Sequence, residues 1–290
     1  MTDSRQLHCL GRVGVHGAGN VGSALLMEMA ANGIGRHVEV ASRRPGTVEA
    51  ALLDVASAYP ARAANFEKVE QLKGVYDVIV LTSGIQPSRE TAKQEMLKIN
   101  LDIAMGVADS FIPAKNSAVV IVGSPVDELS QEFLHARHDL LPRQVVGFGG
   151  ELDRARLRTE LLRRGIPDNE CTVVGEHGSR TVPVYDSEED YENVARGVRS
   201  SLDRIKSATG QARNLASGVQ ICHLLSALDN KSDVQCVSQY DERHGIFLTW
   251  PYRVGPGAAL ERVPVSLGPA ADKELGALVE ARLESARGRI

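Results

Sequence analysis

Val13-Gly14-Val15-His16-Gly17-Ala18-Gly19-Asn20-Val21-Gly22 decides the fold: an apolar strand runs into G-x-G-x-x-G, and a helical run follows from Val21 to Asn32. In a dinucleotide-binding unit each of these glycines has its own task. Gly17 permits the tight turn, Gly19 lets a pyrophosphate approach the backbone, and Gly22 lets helix and strand pack closely. Asn20 and Val21 join the candidate contacts where the helix N-terminus faces the phosphates. Three glycines in six residues arise often by chance, and a tight strand-to-helix turn without a ligand is the alternative reading. The strand before, the helix after and a second strand in range supply the context that a nucleotide site requires.

That second strand, His37-Val38-Glu39-Val40-Ala41, ends at Ser42, twenty residues after Gly22. An acidic residue at its end would hold the adenosine ribose hydroxyls of NAD. Ser42 is uncharged, and Arg43 and Arg44 follow it. Two guanidiniums beside a small hydroxyl suit a 2′-phosphate, which a carboxylate would repel. NADP is therefore the expected cofactor. Glu39 lies three residues before the strand end and is badly placed for a ribose. The alternative is that Arg43 and Arg44 form a solvated pair before Pro45.

Working outward, strands and helices alternate. A second helix is expected from Val48 to Tyr59, ending before Pro60. Val78-Ile79-Val80-Leu81 reads as a strand buried on both faces, as in a parallel sheet, and runs into Thr82-Ser83-Gly84. A long amphipathic helix is expected from Ala92 to Phe111, a buried strand from Ala118 to Val122, then the turn Gly123-Ser124-Pro125 and a helix near Asp127 to Ala136. Val145-Val146-Gly147 closes this half. The expected class is α/β, a doubly wound parallel sheet of the Rossmann type. The pattern then changes to a helix from Leu152 to Arg164, a strand from Cys171 to Val174, helical runs from Glu188 to Leu225, three strand-like pieces and a closing amphipathic helix. A second, mixed α+β substrate domain is expected, with residues 1–148 binding dinucleotide and 149–290 binding substrate.

The 290 residues carry 43% apolar residues, enough for a substantial core, and a net charge of -4. That balance argues against a nucleic-acid partner and shows no polybasic membrane surface. Met1 to Leu10 lacks the apolar core of a signal peptide, and no run approaches membrane-spanning length. Cys9, Cys171, Cys222 and Cys236 are scattered without a C-x-x-C pair, which suits reduced thiols in a cytoplasmic protein. No metal site is expected.

Two segments of the second half carry candidate chemistry. In Leu152-Asp153-Arg154-Ala155-Arg156, Asp153 and Arg156 stand three apart on one helix face; alone, such a pair reads as a surface ion pair. In Gly175-Glu176-His177-Gly178 a histidine sits between glycines after a strand, and alone it is more often structural than catalytic. Their order and spacing, after the glycine loop, Ala51-Leu52-Leu53-Asp54-Val55-Ala56 and Val80-Leu81-Thr82-Ser83-Gly84, resemble the lactate/malate dehydrogenase family. The resemblance closes at Val182-Pro183-Val184 and is faint beyond.

The resemblance implies an oxidoreductase with a nicotinamide cofactor, a small-molecule substrate and a homo-oligomeric state. It implies that His177 exchanges the proton, Asp153 orients it, and Arg156 grips the substrate carboxylate. Thr82, Ser83, Gly84 and Ser124 would border the cofactor. Lys93 falls where the family has the arginine that polarises the carbonyl, keeping charge without the planar fork. Pro87 falls where malate enzymes carry a second carboxylate-binding arginine; Arg89, two residues on, would compensate or remain a solvated loop residue. Ser124 replaces an asparagine, and Ser179 stands where an aspartate is common. Arg180 and Arg213 are further cations without an assignment. These departures imply a 2-oxo acid, or a related carbonyl or imine bearing one carboxylate. They leave one rival, a nucleotide-binding sensor or scaffold that has lost catalysis, and intact Asp153, Arg156 and His177 count against it.

Overall fold

The computed structural model describes residues 10–85, 93–108, 110–209 and 215–287. The first half alternates β1 (Arg12–His16), α1 (Asn20–Asn32), β2 (His37–Ala41), α2 (Pro45–Ala58), β3 (Phe66–Lys68), β4 (Gly74–Leu81), α3 (Lys93–Ala108), β5 (Phe111–Ile121), α4 (Val126–Ala136) and β6 (Val145–Phe148). These strands pair in parallel in the order β3-β2-β1-β4-β5-β6, the doubly wound arrangement. Helices cover both sides, so alternate residues of one strand enter different cores. Val13, Val15, Val38, Val40, Val78 and Val80 enter one core with Leu25 and Leu26 of α1. Ile79, Leu81, Val119 and Ile121 enter the other with Phe133 of α4.

One expectation needs correction here. The third helix ends at Ala108, and Phe111 opens β5 instead, opposite Gly74 of β4. Phe111 is apolar enough to extend the helical pattern, but pairing beside β4 claims its backbone. The three-residue edge strand β3 gives no period to read and was not foreseen.

The second half contains α5 (Gly150–Arg164), β7 (Thr172–Gly175), β8 (Thr181–Val184), α6 (Tyr191–Arg199), α7 (Ser201–Thr209), α8 (Leu215–Ser226), β9 (Asp233–Asp241), β10 (Ile246–Gly255), β11 (Ala259–Arg262) and α9 (Pro269–Arg287). Its strands are antiparallel and continue the same sheet, because β9 pairs with β6 through Gly147 and Ser238. β8 ends that sheet, where Pro183 is tolerated at an edge. α8 crosses back onto α1, and a Cβ on its Gly218 would stand 2.6 Å from that of Ala24. Three structures meet at one end of the sheet: the β1/β4 switch point, the start of α5 and the β7–β8 loop. Among the described residues, no helix is long and apolar enough to cross a membrane.

Candidate functional site

The switch point between β1 and β4 is closed by backbone contacts. Thr82 Oγ1 donates to the Gly17 carbonyl at 2.7 Å, and the N–H groups of Thr82 and Ser83 donate to His16. A Cβ on Gly22 would lie 2.0 Å from the Gly17 carbonyl oxygen, so only glycine fits where α1 leaves the loop. A Cβ on Gly19 would meet nothing within 4 Å. This is open space directly before the α1 N-terminus, whose first turn carries no acidic residue. The cradle therefore fits a pyrophosphate, with unpaired N–H groups and a helix dipole directed at it.

A cavity of about 500 Å³ begins there, lined by Gly19, Asn20, Val21, Arg44, Thr82, Gly84, Ser124, Arg156 and His177. Asn100 of α3, fully buried, ties its walls together: its Oδ1 accepts from Ile85 N–H at 2.7 Å, and its Nδ2 donates to the Ser124 carbonyl at 2.6 Å. Arg43 and Arg44 point apart. Arg44 reaches this cavity, while Ser42 and Arg43 border a neighbouring one with His16. Ser42 Oγ accepts weakly from Arg44 N–H (3.3 Å) and Thr47 Oγ1 (3.4 Å), which leaves its own proton to donate. Among the described residues neither guanidinium makes an ion pair. Glu39 is unavailable to a ribose, since Tyr76 Oη (2.6 Å), Arg12 Nε (2.7 Å) and His37 Nε2 (3.0 Å) hold its carboxylate.

At the other end of the cavity Asp153 forms the centre of the site. Its Oδ2 accepts from His177 Nδ1 at 2.7 Å and from Gly178 N–H at 2.8 Å; its Oδ1 accepts from Arg156 Nη1 at 2.8 Å. Asp153 is only 1% exposed. The surface-pair reading of Asp153 and Arg156 is thereby corrected: β7–β8 folds over this face of α5, which a helical spacing cannot reveal. Burial alone would raise the Asp153 pKa, but the His177 charge and hydrogen bond, with Arg156, bring it below the usual value. Burial likewise opposes charge on His177, and Asp153 more than compensates, so the imidazole pKa is raised. With Nδ1 occupied, Nε2 is the nitrogen left to exchange a proton. Among the described residues the other nitrogens of Arg156 make no hydrogen bond.

The remaining expected residues are less informative. Ser83 turns away from the cavity and its Oγ meets His16 Nδ1 at 2.6 Å. His16 is kept neutral, its pKa lowered to about 4 by burial and by Arg43. Arg180 is engaged elsewhere, with Glu176 at 3.4 Å and the Leu278 carbonyl at 3.4 Å. Lys93 opens α3, but its side chain lies outside the described residues, as do Pro87, Arg89 and Arg213.

Sequence reasoning missed the supports of His177. Buried Asp127, at the start of α4, accepts the His177 N–H at 3.0 Å and the Ser238 hydroxyl at 2.6 Å. No local signal links residues 127, 177 and 238. Gly149 was also missed: a Cβ there would lie 2.3 Å from Cγ of the His177 ring.

Comparison with known proteins finds similarity in sequence and in fold to malate and lactate dehydrogenases. Residues 11–147 match the family model described as lactate/malate dehydrogenase, NAD binding domain. Malate dehydrogenase from Flavobacterium johnsoniae is 26% identical over 286 residues, covering 88% of this chain and 91% of that protein. L-lactate dehydrogenase A from Rhizopus oryzae is 24% identical, covering 84% and 82%. Among solved structures, malate dehydrogenase from Salinibacter ruber superposes with a TM-score of 0.79 at 19% identity, covering 94% of this chain and 95% of that one. The apo malate dehydrogenase from Picrophilus torridus gives a TM-score of 0.80 at 20% identity, covering 94% and 95%.

Gly149→Ala should push the His177 ring off Asp153 without touching the glycine loop. We expect turnover to fall at least tenfold, on the order of what small misplacements cost, with cofactor affinity unchanged. Full turnover in this variant would show that the ring does not need this position.

Proposed function

The chain belongs to the lactate/malate dehydrogenase family, and from that premise we propose that it transfers hydride between NADP(H) and a small 2-oxo or 2-hydroxy acid, or a related carbonyl or imine, with a non-standard side chain. The observation that carries this is the Asp153 carboxylate holding His177 and Arg156 at one end of the cavity that starts at Gly19. We assign residues 1–148 to the nucleotide half and 149–290 to the substrate half. A homo-oligomer in the cytoplasm belongs to the same reading, in keeping with the buried Cys171, Cys222 and Cys236, which form no disulfide among the described residues.

The bound nicotinamide supplies the hydride; the chain does the rest. Arg156 takes the substrate carboxylate with a two-pronged hydrogen bond from the N–H groups that Asp153 leaves free. His177 gives its Nε2 proton to the carbonyl oxygen in reduction and takes it back in oxidation. Asp153 stays charged, fixes the tautomer and stabilises the imidazolium. Because its pKa is raised, His177 remains protonated, ready for reduction, above the pH at which an ordinary histidine has lost its proton. Lys93, at the start of α3, contributes positive charge for the developing alkoxide.

The matched family model is described as NAD binding, so NADP is this chain's own departure. Its support is Ser42 in place of an acid, followed directly by the guanidiniums of Arg43 and Arg44. NADPH should bind more tightly than NADH, with a preference that shrinks as salt rises. Ser42→Asp with Arg43→Ala should reverse it. Equal affinities in the unmodified protein, measured by cofactor fluorescence, would remove the assignment.

The substrate reading follows from the cations. Arg156 anchors one carboxylate, Arg180 is bound to Glu176, and Pro87 offers neither charge nor an N–H. Loss of one charge-assisted hydrogen bond, about 1.5–3 kcal/mol, corresponds to roughly one to two powers of ten in discrimination. Steady-state kinetics should therefore favour monocarboxylic 2-oxo acids over oxaloacetate. A clear preference for oxaloacetate would mean that Arg89 or Arg213 supplies a second anchor and would overturn this reading.

A further inference from the structure

The loop carrying His177 rests on a buried charge cluster that the proton-transfer chemistry does not use. Glu176, the residue before His177, is 3% exposed, and its Oε1 is gripped by Nη1 of Arg282 on α9, itself 7% exposed. The same Nη1 lies 3.3 Å from Glu128, and Nη2 donates to Gln131 at 3.3 Å, both on α4. From the other side Arg180 approaches the second Glu176 oxygen at 3.4 Å. α4 also carries Asp127, which accepts the His177 N–H.

Two carboxylates shut away from water, Glu176 and Glu128, repel each other unless a cation stands between them. Arg282 is that cation, and its planar fork suits the task better than an ammonium. Its helix is fixed beneath the loop: Leu278, four residues earlier and on the same face, is buried in the second core, and its Cδ1 would lie 3.1 Å from a Cβ on Gly175.

We propose that Arg282 is a positioning residue: by bridging Glu176 and Glu128 it clamps the loop before His177 onto α4. It does not line the cavity, so it acts through His177. Asp127 supports this account. Burial pushes its pKa up to about 6, the Ser238 hydroxyl opposes that, Glu176 adds to it, and Arg282 again opposes it. Without Arg282, Asp127 would keep its charge less readily and hold the His177 N–H less well. The catalytic part rests on the proton-transfer reading of His177 given above.

The test uses the full chain with Arg282→Met, Arg282→Lys and the double variant Glu176→Gln/Arg282→Met. Hydrogen–deuterium exchange without cofactor is followed at residues 175–178 and, as a control, at residues 13–22. Arg282→Met should speed exchange in the His177 loop by about tenfold or more while the glycine loop is unmoved. The turnover number should fall by about tenfold or more, with cofactor Kd and substrate KM little changed. Arg282→Lys should restore much of both, and the double variant should recover part by removing a buried carboxylate that has lost its closer cation. Unchanged exchange and turnover in Arg282→Met, or equal loosening of both segments, would overturn the proposal. If Arg282→Met does not fold, Glu176→Gln alone decides: loosening confined to residues 175–178 supports the clamp, and a rigid loop refutes it. The exchange measurement needs no turnover. An unmodified protein without activity toward any 2-oxo acid would sink the proton-transfer reading and leave the clamp to be judged on exchange.

Discussion

One buried carboxylate holds the site together. Asp153 accepts hydrogen bonds from an imidazole, a backbone N–H and a guanidinium, and is almost wholly shielded from water. A buried charge of this kind is tolerable only while its partners stay, and removing one costs about 3–5 kcal/mol in comparable pairs. α5 and the β7–β8 loop are thus fixed to one another by the same contacts that hold His177 and Arg156 side by side. His177 and Arg156 therefore cannot drift apart independently.

The other half of the site depends on the parallel sheet. Only at the switch point between β1 and β4 does the chain leave neighbouring strands in opposite directions, opening a crevice at their carboxyl ends. The glycine loop and the α1 N-terminus lie in that crevice. β6 then delivers the chain to Gly149 and α5 beside it, so one continuous cavity joins the phosphate cradle to His177.

Much of this was legible because it is local. The glycine loop, the strand ending at Ser42-Arg43-Arg44, the Asp153–Arg156 spacing and the histidine between glycines each lie within a few residues. What could not be read is long-range. Asp127 meets Ser238 across 111 positions. Gly149 matters only because the His177 ring folds against it. Arg282 reaches Glu176 from the last helix, 106 residues on. Helical spacing taken alone likewise leaves Asp153 and Arg156 as a surface ion pair, since their burial on α5 comes from a hairpin later in the chain. Phe111 reads as helical by its apolar character, although its backbone pairs with β4. The divergence of Arg43 and Arg44 into neighbouring cavities likewise depends on the path of the turn before α2.

On the proposed reading, Asp153 holds His177 as a proton donor near neutral pH. This role is tested most directly by NMR titration of the His177 imidazole in the protein without substrate, beside the Asp153→Asn variant. The imidazole should titrate above the ordinary value of about 6.5 in the unmodified protein, and lower when the carboxylate charge is removed. Titration at or below that value, or one that Asp153→Asn leaves in place, would contradict that role.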